Sequence, residues 1–171
     1  MKKNLFLLFG MLLLSIMTIS AQNYVWNFGQ DRILFPKGVQ YINDTIVAGL
    51  TISSKAETNP MQIVQKYGRE KSGVPSTYQY CLSPNGSGYN KSKDSDEAPR
   101  KMIPDKRYLS FKVNSNCIIK AHILAPYKGS SARLFITDGK KLIGTMIPNS
   151  ESNDVFTECS VCLLYTSDAA D

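Results

Sequence analysis

Between Arg107 and Leu124 apolar and polar side chains alternate with a period of two, and that pattern limits the chain more than any other feature. Leu109, Phe111 and Val113 fall on one side of an extended segment, with Ser110 and Lys112 on the other. Ile119, Ala121 and Ile123 then share a face opposite Lys120 and His122. Successive side chains of a strand point to opposite sides, so this spacing predicts strands with one buried and one wetted face, and it excludes an amphipathic helix. Asn114-Ser115-Asn116 is short enough to join the two segments as a hairpin.

Further segments rich in β-branched and aromatic residues occur at 24–28, 46–52, 78–82, 133–137, 142–147 and 155–161. Pro36-Lys37-Gly38, Pro84-Asn85-Gly86, Asp138-Gly139 and Pro148-Asn149 punctuate them. Residues 61–67 fit either a short helix or a strand. Short strands with frequent turn signals predict an all-β fold, an antiparallel β-sandwich of jelly-roll type. Residues 85–105 form the longest irregular stretch, and loops of that length in compact domains usually carry function.

The two ends read differently. Lys2 and Lys3 precede a nearly unbroken apolar run over 5–19, followed by Ser20 and Ala21. This is the pattern of a secretory signal peptide over 1–21, with cleavage expected between Ala21 and Gln22, or one residue earlier. The run falls short of the roughly 20 residues that span a bilayer, so a stable membrane span is not expected. The mature chain is expected to be secreted, periplasmic or otherwise in the cell envelope. At the other end Cys162 to Asp171, CLLYTSDAAD, resembles an in-frame translation of a sequencing-library adapter. The expected organisation is therefore one β-sandwich module over 22–161, incomplete at its C-terminal end, and an artefactual segment over 162–171.

Removing Lys2 and Lys3 with the leader, and Asp168 and Asp171 with the tail, leaves the formal net charge at +6. The charges are interspersed, which suits solubility and a bias toward anionic partners. No nucleic-acid motif is present, and export argues against a nucleic-acid partner. Export permits disulfides, but Cys81, Cys117 and Cys159 make an odd count outside the tail, their pairing is open, and their spacing fits no zinc site. A buried free thiol is the expectation for Cys117.

Catalytic patterns are thin. His122, the sole histidine, is expected on the outward face of its strand, away from a nucleophile. Asp94, Asp96 and Glu97 form an acidic knot in the long loop, where oxygen ligands can hold Ca²⁺, although solvated loop charge fits them better. No other cofactor is indicated. Sugar rings lie on aromatic faces, and Arg donates a planar fork to carboxylates. On that chemistry Tyr78, Tyr80, Tyr89, Arg107 and Tyr127 are the candidate ligand-binding residues. The competing structural reading has Tyr78 and Tyr80 plugging the core and Arg107 pairing with Asp105. Trp26 is expected to anchor the core rather than to serve as a sugar platform.

The order Trp26-Asn27-Phe28, residues 46–52, residues 107–113, Asn116-Cys117-Ile118-Ile119, Arg133-Leu134-Phe135-Ile136 and Ile143-Gly144-Thr145 resembles a known kind of module. It is the β-sandwich found before pectate lyase and related polysaccharide-degrading domains in secreted proteins of Bacteroidetes-type bacteria. The resemblance implies a non-catalytic, carbohydrate-associated role, with plant cell-wall polysaccharide or a downstream catalytic domain of the same chain as partner. It also implies a closing pair of strands after Val161. A structural domain that packs on the catalytic domain without binding glycan is the alternative, and an enzyme within 22–161 is the least favoured reading.

Overall fold

β-branched and aromatic side chains suit a pleated, half-buried surface, and among the described residues they form ten strands. The structure is a computed structural model and describes residues 23–66, 68–69, 78–89 and 97–164. In chain order the strands are β1 (Gln40–Tyr41), β2 (Thr45–Val47), β3 (Leu50–Ser53), β4 (Met61–Gln65) and β5 (Tyr80–Ser83). They continue with β6 (Tyr108–Ser110), β7 (Cys117–Ile123), β8 (Leu134–Thr137), β9 (Leu142–Met146) and β10 (Thr157–Leu163). All named strands pair antiparallel, and the fold is all-β. Residues 61–65, ambiguous by pattern, are a strand. Among the described residues no helix is long and apolar enough to cross a membrane.

Two three-stranded sheets, β1-β4-β5 and β2-β3-β6, account for the first half of the chain. The register Tyr41↔Met61, Ile63↔Leu82 and Gln65↔Tyr80 sets Tyr41, Met61, Ile63, Leu82 and Tyr80 on one face of the first sheet. In the second sheet Ile52 pairs with both Thr45 and Leu109, which turns Leu50 and Ile52 to one side. Phe35, Tyr41, Leu50, Ile52, Met61 and Ile63 merge into a single core in which none is more than 4% exposed. Trp26, Phe28, Val39, Val47, Tyr80 and Leu82 pack around it.

The second half is built from the hairpin β8-β9 and from β7 paired with β10. β9 lies against β10 closely enough that a Cβ placed on Gly144 would stand 2.8 Å from both γ-methyl groups of Val161. A parallel bridge, Arg69↔Val155, ties the halves together. It is reinforced by Phe156 N–H donating to the Arg69 carbonyl at 2.9 Å and by Arg69 Nη2 on Asp154 at 2.6 Å.

The alternation of β7 appears as expected: Ile119, Ala121 and Ile123 are half-buried, and Lys120 and His122 are exposed. Its partner is a correction. Asn114-Ser115-Asn116 does not close a hairpin, because β6 pairs with β3 through Ile52↔Leu109, and β7 pairs with β10 through Ile119↔Val161. Both pairings satisfy the same alternation, so the pattern on its own cannot choose between them. Nor do Leu109 and Phe111 enter the core. β6 is an edge strand, leaving Leu109 38% and Phe111 36% exposed.

Two further expectations change. Residues 24–28 hold no strand. Residues 46–52 are a hairpin, because Ala48 (φ 48°) and Gly49 (φ 79°) both take the left-handed conformation of a tight two-residue turn. β10 extends through Cys162↔Ile118 and Leu163↔Cys117, the first two residues of the segment set aside on sequence grounds. Main-chain pairing accepts almost any side chain, so the extension says nothing about where that segment came from.

Candidate functional site

The five residues expected to form one binding edge have separate neighbourhoods. Tyr78 packs at the junction of the halves, its ring 5.5 Å edge-on from Phe156 and 5.4 Å from His122, with the Gly29 backbone against it. Tyr89 is buried, donates its hydroxyl to the Lys101 carbonyl at 3.1 Å, and burial together with the Asp105 charge raises its pKa. Tyr127 lies 51% exposed in the turn after β7.

Arg107 has a positive φ of 54° and spends its guanidinium on main-chain carbonyls. Nε donates to Asn59 at 3.3 Å, Nη1 to Ser87 at 3.2 Å, and Nη2 to Thr58 and Asn59 at 3.2 and 3.1 Å. The planar fork thereby fastens the start of the long loop to the turn before β4. Asp105 receives the Lys101 ammonium at 2.6 Å.

Tyr80 sits beside an arginine that the sequence reading passed over. Two local turns present it. The Asn27 side chain accepts from Gly29 N–H (3.1 Å) and Gln30 N–H (3.0 Å), and the Asp31 carboxylate accepts from Ile33 N–H (3.1 Å) and Leu34 N–H (2.9 Å). Such side-chain bonds to the backbone two or three residues on are the usual way Asn and Asp fix a turn. The turns deliver Phe35 to the core and set the Arg32 guanidinium 4.2 Å from the centre of the Tyr80 ring, with Nη2 donating to the Phe28 carbonyl at 2.5 Å. A cation over an aromatic face is favourable, more so away from water. No apolar periodicity marks Arg32, so only an Asn/Asp turn count through 27–31 signals that it is held.

A third arrangement lies at the surface. Tyr24 stacks on Trp26 with ring centres 5.9 Å apart and planes 8° apart, and Trp26 meets Phe111 at 5.1 Å. Trp26 Nε1 donates to the Ala48 carbonyl at 3.0 Å, fixing the indole over the β2-β3 turn. Trp26 packs on the core, as expected of an anchor, while Tyr24 is 55% and Phe111 36% exposed beside it. The solvated Lys112 follows Phe111.

His122 faces outward opposite Glu158, Nε2 standing 3.6 Å from that carboxylate, which also takes Lys120 at 3.4 Å. Exposed pairs of this kind are worth little. Cys81, Cys117 and Cys159 are free and half-buried, so Cys117 is less deeply buried than expected, and burial raises the pKa of the Cys81 thiol despite Lys66 nearby. Of the acidic knot, Asp94 and Asp96 lie outside the described residues and Glu97 is exposed. Among the described residues no three acidic, His or Cys side chains gather in a metal-binding group. Comparison of the chain with known family models, curated proteins and solved structures returned no match.

Proposed function

We propose that the chain is a carbohydrate-associated module of jelly-roll-like β-sandwich type, without catalysis of its own, that holds an acidic polysaccharide for a downstream lyase domain of an exported protein. The observation that carries the reading is the aromatic row Tyr24-Trp26-Phe111, pinned from below and open to solvent above. Tyr24, stacked on Trp26 and 55% exposed, offers an apolar ring face on which the C–H face of a sugar lies, with Phe111 tilted 47° from the indole beside it, and a platform held by packing loses little conformational entropy on binding. The net charge of +6 favours an acidic over a neutral glycan.

The platform differs in place from the loop-centred set Tyr78, Tyr80, Tyr89, Arg107 and Tyr127. Four of those, Tyr78, Tyr80, Tyr89 and Arg107, have internal partners that account for them.

The test is affinity electrophoresis through gels cast with polygalacturonate. Wild-type chain should be retarded, and Tyr24→Ala and Phe111→Ala should each weaken retardation by roughly 2- to 10-fold, the worth of one stacked ring. An unretarded wild-type chain, or variants that migrate like it, would remove the reading.

A further inference from the structure

Lys55 holds a backbone conformation that its residue type rarely takes. Its φ is 45°, in the left-handed region, where a lysine carries strain that the surrounding structure has to impose. The residue before it supplies the constraint. The Ser54 carbonyl accepts the Arg107 N–H at 3.0 Å, and the Ser54 hydroxyl accepts the Met61 N–H at 2.9 Å. Strain of this kind persists where it aims a side chain at a task.

The side chain it aims meets Tyr108. The register Ser53↔Tyr108, next to Ile52↔Leu109, turns Tyr108 to the side of the second sheet opposite Ile52. There the Lys55 ammonium donates to the Tyr108 hydroxyl at 3.3 Å and stands 5.5 Å from the centre of its ring. Asp44 lies 4.0 Å from the same ammonium, and the Lys55 and Asp44 side chains are 50% and 48% exposed. The Tyr108 oxygen first, and the Asp44 charge after it, hold the Lys55 pKa above its ordinary value, so the ammonium keeps its charge at neutral pH.

The hydrogens leave room for an acceptor. An ammonium carries three; one goes to Tyr108, and Asp44 engages a second at most. The phenol oxygen accepts from Lys55, and among the described residues its own hydrogen has no acceptor. Two donors 3.3 Å apart, one of them cationic, match the two oxygens of a single carboxylate. At 4.0 Å Asp44 is at the limit of an ion pair, and exposed pairs of this kind contribute little, so an incoming carboxylate displaces it at small cost.

We propose that Lys55 and Tyr108 form a surface site for the carboxylate of a uronic-acid residue, one that selects an acidic glycan over its neutral ester. The site rests on the acidic-glycan reading and deepens it. The aromatic row supplies apolar contact with a sugar ring, and the Lys55–Tyr108 pair recognises the charge.

The experiment titrates galacturonate, and its methyl ester as the uncharged counterpart, into the full chain while the Lys55 and Tyr108 side-chain signals are followed by NMR. Galacturonate should shift both along one saturating curve, and the ester should shift neither. Asn tolerates a positive φ, so Lys55→Asn should keep its urea midpoint near wild type. Its half-saturation, read at Tyr108, should rise roughly tenfold or more, the loss of a charged hydrogen bond. Tyr108→Phe, read at Lys55, should raise it roughly two- to tenfold, and Asp44→Asn should lower it by removing the competing charge. Equal shifts with acid and ester, no saturation with either, or a Lys55→Asn chain that binds like wild type would overturn the proposal. Saturation by the monomer in a chain that polygalacturonate gels fail to retard would keep the carboxylate site and remove the aromatic platform alone. Retardation in gels without a response at Lys55 would do the reverse.

Discussion

Two isoleucines on different sheets test whether the core lies under β1-β5 or under β6-β7. Ile52 is fully buried in β3, whereas Ile118 on the outer face of β7 is 61% exposed. Ile→Ala removes three carbons, about 2.4 kcal/mol of transfer free energy at ~0.8 kcal/mol each. At Ile52 the surrounding Phe35, Leu50, Met61 and Ile63 cannot collapse fully into the space, so a cavity cost adds and the total should fall within about 2–5 kcal/mol. At Ile118 only some two-fifths of the transfer value was gained on folding and no cavity forms, which leaves about 1 kcal/mol. Urea denaturation followed by the fluorescence of Trp26, the sole tryptophan, reads both variants. Its indole rests on that core and donates to Ala48, so it reports the unfolding that matters. Equal losses at the two positions, or a loss under about 1 kcal/mol at Ile52, would refute this placement of the core.

Other outcomes follow from single positions. Gly144→Ala should cost about 1–3 kcal/mol in the same assay, since the new methyl meets two Val161 methyl groups, and a paired Val161→Ala should recover most of it. Ala48→Asn should stabilise by up to about 1 kcal/mol, because Ala at φ 48° is strained and Asn-Gly favours this turn; a loss would show that the turn is not as described. Arg107→Ala should destabilise by about 1.5–3 kcal/mol by releasing three carbonyls, Arg107→Lys should restore little because it lacks the fork, and glycan retention should survive both. Asp154 has a pKa below its usual 3.8, first through the Ser152 hydroxyl and then through Arg69. Its folded form therefore binds fewer protons than the unfolded chain in acid, so its stabilisation is present above about pH 4 and is lost as pH falls through the folded pKa. Asp154→Asn should flatten the acid limb of the stability profile, and an unchanged limb would place the pH dependence elsewhere.

How much the sequence disclosed depends on the range of the interaction. Strand type and facing were legible wherever alternation was clean: β7, β8 and β9 appear within a residue or so of their expected bounds, because side-chain direction along a strand is a local property. The tight turn at Ala48-Gly49 was missed because Ala gives no warning of a positive φ and the flanking run is apolar throughout. The contact of Arg32 with Tyr80 was not legible, since the position of Arg32 depends on the Asn27 and Asp31 turns rather than on any pattern of its own.

By itself the sequence determined that this is a chain of short antiparallel strands with defined inner and outer faces. Tertiary structure alone decided which strand lies beside which: β6 joined β3 and β7 joined β10, although β6 and β7 are neighbours along the chain. It also decided that Phe111 stands in a surface aromatic row rather than in the core, and that Arg107 serves the backbone. The physical reason is that a period of two fixes the side on which a residue points and leaves its partner free. That choice is made by long-range burial and by carbonyls seeking donors far along the chain.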